Sequence, residues 1–363
     1  MKKAIIMCMQ MKHIEVSPAR YQLISEMNRK NIEIFLCLCG ELNAEAKKTC
    51  GCISRFLNAE SMSKRNIRKK IIQYEPDIVI AFTYEDTEIL YSLPKRLKTT
   101  KFYYFNLEIT TWGYYSQACR ENTWKYCAKM IQYPLSIFRE AYYTKQCELL
   151  VIQDEERKKV AGKYRIFHAR TMLIPNSYIY DETVRCSAEK KEIIYSGGIR
   201  KKYLAEYWQD FYNVKTAPIL FCGTFDEWGK KELIKIHRSN PNIMMKRQTL
   251  TADAYTMYLQ KYAIGLVCYC RGSDDNLNYI GLSSGKFFKH LSLGQPVIVL
   301  GRSRMSREVE KYGLGVAVDH PSDIEEAYNR IMGNYDEYRN NVISIYQRKY
   351  DYRKIIQPFL AQL

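Results

Sequence analysis

The chain has 363 residues, of which 47% are hydrophobic and 26% charged, which excludes an intrinsically disordered protein and leaves room for two cores of ordinary size. No apolar run approaches the about 20 residues of a transmembrane helix, and MKKAIIMCM, followed at once by Gln10, Lys12 and His13, reads as a first buried strand rather than a signal sequence. The formal net charge of +17 creates a field that attracts polyanions. No zinc finger, RRM signature or repeated module points to nucleic acid, which is not an expected partner.

Strands and helices alternate through both halves, which predicts an α/β protein with two open, mainly parallel sheets wrapped by helices. After the first strand, VSPARYQLISEMNRK supplies a helix with Ser17 as N-cap, and NIEIFLCLCG is the second strand. DIVIAFTY, KFYYFNLEI, LLVIQ and TMLIPNS follow, and in IQDEER Asp154 caps a helix and Arg157 pairs locally with Asp154 or Glu155. The polar stretch DETVRCSAEKKE, 181–192, is the expected linker. The predicted division is a first domain over 1–185, a second over 186–345 and a terminal helix over 346–363.

Twelve cysteines scattered through apparent strands and helices of a long chain read as reduced, buried thiols, placing the protein in the cytoplasm. The pairs Cys37 and Cys39, Cys50 and Cys52, and Cys268 and Cys270 lack CxxC spacing and nearby histidines, so no metal site is expected.

GLSSGKFFKHLSLGQPVIVLG, 281–301, joins a small-residue loop to a helix and then a strand. Ser283, Ser284 and Gly285 are small enough to let backbone N–H groups approach an anion at a helix N-terminus, and Lys286 adds a mobile charge. Serine and glycine there are equally consistent with ordinary capping. A classical P-loop is excluded, since Ile280 and Phe287 stand where it needs glycine and a hydroxyl residue.

This segment, with SREVEKYGLGVAVD after it, resembles the nucleotide-sugar half of GT-B glycosyltransferases of the family 4-like type. EIIYSGGI, APILFCGTF and KYAIGLVCY are similar to that domain's successive strands and turns, and YEPDIVIAF, FYYFNLEI, LLVIQDEERKKV and LIPNS follow the order of the other half. The resemblance implies a GT-B fold of two Rossmann-like domains, with a terminal helix returning to the first. It implies donor contacts from Gly197, Gly198, Arg200, Lys202, Gly223, Arg247, Gln248, Ser283, Ser284, Gly285, Lys286 and Glu308. The family's two glutamates are absent, Gly281 and Lys289 standing in their places.

What the resemblance implies chemically is metal-independent, hexosyltransferase-like transfer of a sugar from a nucleotide diphosphate, expected to be UDP-linked, to a lipid-linked saccharide or polysaccharide precursor, with no cofactor. Inverting transfer needs a base near the acceptor hydroxyl. Glu108, at the end of FYYFNL, is the first candidate, with Glu85 and His13 as competitors. A sugar-nucleotide epimerase of the same fold and a non-catalytic nucleotide-sugar-binding subunit are the alternatives. The basic segment 63–72 and the basic, aromatic segment 120–145 suit contact with an anionic membrane at its inner face, or else are solvated helix faces whose aromatics enter the core.

Overall fold

In a computed structural model of the chain, residues 1–9, 17–42, 47, 53–109, 123–248, 252–272 and 274–363 are described. The expected base candidate His13 and the cysteines 50 and 52 lie outside them. The residues form two compact units: Met1–Pro175 with Ser273–Asn276 and Ile356–Leu363, and Asn176–Gly272 with Leu277–Ile355.

The first unit is built on the apolar runs that the sequence shows. Lys3–Cys8 (β1), Glu33–Leu38 (β2), Ile53–Asn58 (β3), Ile78–Ala81 (β4), Lys101–Phe105 (β5), Leu149–Ile152 (β6) and Thr171–Leu173 (β7) make one parallel sheet in the order β3-β2-β1-β4-β5-β6-β7. Strands covered on both faces need apolar residues at every position, which is why β1 and β4 show no alternation. β3 is the strand that the periodicity of ISRFLN does not announce. The helix Pro18–Arg29 begins after Ser17 as expected, although the Ser17 hydroxyl accepts from the Arg20 guanidinium instead of capping a backbone amide.

The basic segment 63–72 falls in the helix Lys64–Tyr74, whose Ile67 and Ile71 are buried in the core. Arg68 donates to the carbonyls of Glu88 and Ile89, and Lys64 pairs with Glu88. Its apolar side is therefore covered by protein, and Arg65, Lys69 and Lys70 are left exposed on the basic side. The helix Thr123–Thr144 differs, as described below.

The second unit holds Lys190–Ile199 (β8), Ile219–Phe225 (β9), Ile243–Arg247 (β10), Tyr262–Cys268 (β11), Val297–Leu300 (β12) and Gly315–Val318 (β13), again parallel, in the order β10-β9-β8-β11-β12-β13. The strand order reverses between β8 and β11, the kind of point where open α/β sheets bind ligands. Residues 181–192 lie within this unit: Cys186 is buried, and its carbonyl accepts from Arg339.

The C-terminal segment is helical but not one helix. A π-turn over Tyr346–Tyr350 stops at Asp351, whose carboxylate accepts from the backbone of Tyr180 and Arg353, and the turns Tyr352–Ile355 and Gln357–Leu360 follow. Phe359 packs edge-on against Tyr103 and Phe105 of the first unit, with ring centroids 5.2 and 4.9 Å apart.

Candidate functional site

Part of the expected donor set of the second unit, Gly197, Gly198, Gly223, Arg200 and Lys286, lies together near the strand-order reversal. β8 and β9 pair so that Gly197 faces Gly223, and both have positive φ, 119° and 145°. A Cβ at residue 223 would lie 1.9 Å from the Gly197 carbonyl oxygen, so the two backbones approach as only glycine permits. Gly198 lies against the Arg200 and Tyr203 side chains, Arg200 caps the short helix Lys201–Leu204, and the Lys202 ammonium sits over the ring of Tyr203.

Ser284 is the N-cap of the helix Gly285–Ser292, its hydroxyl accepting from the Phe287 amide and hydrogen-bonded to Tyr269 Oη at 3.0 Å. The amides of Ser283 and Ser284 donate to Ile280 and Gly281 in a tight turn, and the Ser283 carbonyl accepts from Asn176. The loop thus presents fewer amides than its composition suggests. Those of Gly285 and Lys286, in the first turn, have no acceptor inside the helix.

Lys286 is the centre of the arrangement. Its ammonium donates to Tyr195 Oη at 2.7 Å and lies 4.2, 5.4 and 5.2 Å from the ring centroids of Tyr195, Tyr203 and Tyr269. Burial pulls its pKa down to about 7, the nearby Cys268 opposing and the Arg200 charge reinforcing the shift. Among the described residues no carboxylate comes within ion-pair distance of it. A buried cation held by ring faces, which attract but do not neutralise it, is a site that gains from an incoming anion.

One helical turn on, Lys289 stands where the resembling family has a carboxylate. It donates to Thr256 Oγ1 at 2.5 Å and lies over the ring of Tyr178. Burial lowers it to about 8 against the attraction of Asp253. His290, beneath the same helix, is pushed down to about 4 by burial and shares a hydrogen bond with Gln295.

The remaining donor candidates are placed less centrally. Arg247 ends the edge strand β10 and is exposed, while the Gln248 amide donates to the Gly223 carbonyl. Glu308 is buried and bound to Arg304 at 2.7 Å and to Lys349 and Tyr350. Burial would raise its carboxyl, but the hydrogen bonds from Lys349 and Tyr350 bring it below the usual range.

In the first unit, Glu108 is exposed just after β5. Behind it Arg157, fully buried, donates to the Leu107 carbonyl, Gln153 Oε1 and Asn276 Oδ1 at 3.0, 2.8 and 3.1 Å. Burial lowers Arg157 to about 10, while Asp154, Glu108 and Asp274 pull it back. Asp154 caps the helix Glu155–Lys163 as expected, its carboxylate accepting from the Arg157 amide and attracting the Arg157 charge, while the guanidinium reaches across to the chain after β5. Glu85 lies in the first turn of the helix Tyr84–Leu90, where its neighbour Asp86 accepts from the amides of Met9, Phe82 and Thr83.

Sequence reasoning missed the three tyrosines around Lys286. Their signal was positional: Tyr269 directly follows β11 and Tyr195 lies inside β8, in apolar runs read only as core. Nine free thiols are described, seven of them buried.

No family model matches the chain, and no curated protein matches it in sequence. Solved structures do match. Anabaena HepE, solved in complex with UDP and glucose, superposes with a TM-score of 0.70 at 9% identity, covering 100% of both chains. The lipopolysaccharide outer core galactosyltransferase WaaB gives 0.61 at 13% identity, again over 100% of both. A Listeria monocytogenes protein assigned as a UDP-N-acetylglucosamine 2-epimerase gives 0.60 at 11%, covering 99% of this chain and 94% of the other. The fold is GT-B, two parallel-sheet α/β units with a helical C-terminal region, as the sequence resemblance implied. Identities this low speak for the fold alone.

Proposed function

We propose that the protein is a glycosyltransferase that moves a sugar from a nucleotide diphosphate donor, a UDP-sugar, to a lipid-linked saccharide or polysaccharide precursor. The observation that carries this is Lys286, buried among Tyr195, Tyr203 and Tyr269 beside the Gly197 and Gly223 turns. A diphosphate placed there meets a cation, two first-turn amides and a backbone that glycine leaves open. UDP is favoured because HepE of the same fold was solved with UDP and with UDP-glucose. As the diphosphate leaves, Lys286 and Arg200 stabilise its growing charge without a metal ion, and Glu108 accepts the acceptor's proton.

The test is a thermal-shift panel of UDP, GDP, CMP and their sugar conjugates on wild type and Lys286→Ala. Stabilisation by the uridine compounds, lost in the variant, is expected. No shift from any nucleotide would remove the donor site. Turnover of the stabilising sugar nucleotide should survive EDTA, and a requirement for added divalent cation would overturn the metal-independent chemistry.

The epimerase reading has a fold neighbour in its favour. Conversion of UDP-N-acetylglucosamine to its C2 epimer without an acceptor would establish it over transfer.

A further inference from the structure

The helix Thr123–Thr144 presents two apolar faces, and protein covers one. Tyr143 is buried and Glu140 meets Tyr104 and Asn106 on the inner side. On the outer side Trp124, Ile131, Leu135 and Phe138 follow at spacings of seven, four and three residues, which on a helix is one stripe. Ile131 is 73% exposed and Phe138 64%, and Phe138 stacks on Tyr142, the next residue of the stripe, with ring centroids 6.1 Å apart.

Beside the stripe is a cavity of about 620 Å³, within the range that holds a small ligand. Tyr133, Ile137, Phe138 and Ala141 line it together with the cations Lys145, Lys163 and Arg165. No acidic residue is among the lining side chains. Arg165 has a positive φ of 61°, and all three cations are exposed.

We infer that this face docks on an anionic phospholipid bilayer, the stripe entering the headgroup boundary and the cavity receiving one acyl chain whose phosphate lies against Lys145, Lys163 and Arg165. Charge decides the occupant. An apolar cleft lined by three cations and no carboxylate complements a molecule with an apolar tail and an anionic head. A second copy of the chain is disfavoured, because each copy carries +17 and would bring like charges together. The helix lies along the membrane and does not cross it: among the described residues no helix is long and apolar enough to span a bilayer. Docking of this kind does not require the proposed transfer chemistry.

The experiment is flotation with vesicles of phosphatidylcholine alone and of phosphatidylcholine with phosphatidylglycerol. Net charge alone would bind any anionic vesicle, so the deciding variant is Ile131→Ser/Phe138→Ser, which leaves charge unchanged. It should lower partitioning onto the anionic vesicles by roughly tenfold or more, through lost apolar burial. Lys163→Glu/Arg165→Glu should do the same, and Arg65→Glu/Lys69→Glu, an equal reversal on the Lys64–Tyr74 helix, should cost clearly less. As a second readout, brominated acyl chains should quench wild type more than Trp124→Phe.

Several results would overturn the inference: wild type that does not float on anionic vesicles, a serine variant that floats like wild type, or a control pair that loses as much as the rim pair. Concentration-dependent self-association abolished by the serine variant would assign the stripe to a second copy. The substituted side chains are exposed, so retained melting temperatures separate lost docking from lost folding.

Discussion

Gly197 and Lys286 are in contact across the strand-order reversal of the second sheet: a Cβ built on residue 197 would lie 2.8 Å from Lys286 Cε. The turn can therefore carry no side chain while the lysine holds its place among the tyrosines. Gly197→Ala must also be accommodated at φ 119°, which costs about 1–3 kcal/mol. It should fold with a lowered melting temperature and lose the nucleotide-induced shift. Retention of the full shift would mean that Lys286 is not the donor's cation. Gly223→Ala should be worse, since its Cβ meets backbone, which cannot swing away as a lysine stem can.

Lys286→Met should separate stability from function. The lysine is buried, with no carboxylate among the described residues to offset its desolvation, so an apolar chain of similar length should raise stability by roughly 1–2 kcal/mol while abolishing donor binding. Denaturant unfolding and calorimetric titration with a UDP-sugar check the two halves. A stability loss would show that the contacts of the ammonium with Tyr195 outweigh its burial.

The pH dependence has a definite sign. The folded-state pKa of Lys286, about 7, lies below its ordinary 10.5, so between those values the unfolded chain binds more protons and this group makes stability rise with pH. A bound diphosphate favours the protonated amine. UDP-sugar affinity should therefore fall as pH rises through about 7, with proton uptake on binding. A UDP-sugar is the proper probe, since its diphosphate has no ionisation of its own near neutrality. Calorimetry in buffers of different ionisation enthalpy measures the uptake, and pH-independent affinity between pH 6 and 9 would count against Lys286 as the diphosphate's partner.

Glu108 and Arg157 yield a paired test in the first unit. If Glu108 is the base, Glu108→Gln should reduce kcat by about 100-fold or more with donor affinity retained. Arg157 fixes the carbonyl before it and two other acceptors, and Arg157→Ala would take their guanidinium donor from the Leu107 carbonyl and Gln153 Oε1, Asn276 Oδ1 keeping the Ile109 amide, costing about 3 kcal/mol. Unchanged turnover in Glu108→Gln would remove Glu108 from the reaction.

How far the sequence carries can be seen from individual elements. Every long β-branched run became a strand where expected, because a parallel sheet covered on both faces leaves no other reading of AIIMC or VIVL. The sequence is quieter where tertiary contact decides. Ile53–Asn58 pairs with β2 across a register shift between Ile34 and Phe35 despite a mixed pattern, and the terminal segment breaks at Asp351 because Tyr180 and Arg353 use its carboxylate. At the site, Gly197 and Gly223 were legible as small residues near strand ends and Lys286 as a cation in a loop that opens a helix. The tyrosine cage was not, since which rings meet Lys286 depends on strand neighbours far apart in the chain. Gly265 shows the same limit: within β11 a Cβ there would stand 2.3 Å from the His290 ring, which fills the space.

Glu308 tests the difference between place in a pattern and place in the fold. The resemblance implies a donor contact, and in the structure its carboxylate binds Arg304, Lys349 and Tyr350 and joins the Arg304–Tyr312 helix to the C-terminal segment. Glu308→Gln should therefore cost about 2 kcal/mol of stability and leave the UDP shift intact. Its folded carboxyl pKa is below the ordinary 4.5, so the stabilisation is present above that value and disappears as pH falls through the lower, folded value. The acid limb of the wild-type stability curve should flatten in the variant. Loss of the UDP shift with stability unchanged would instead return Glu308 to the donor site.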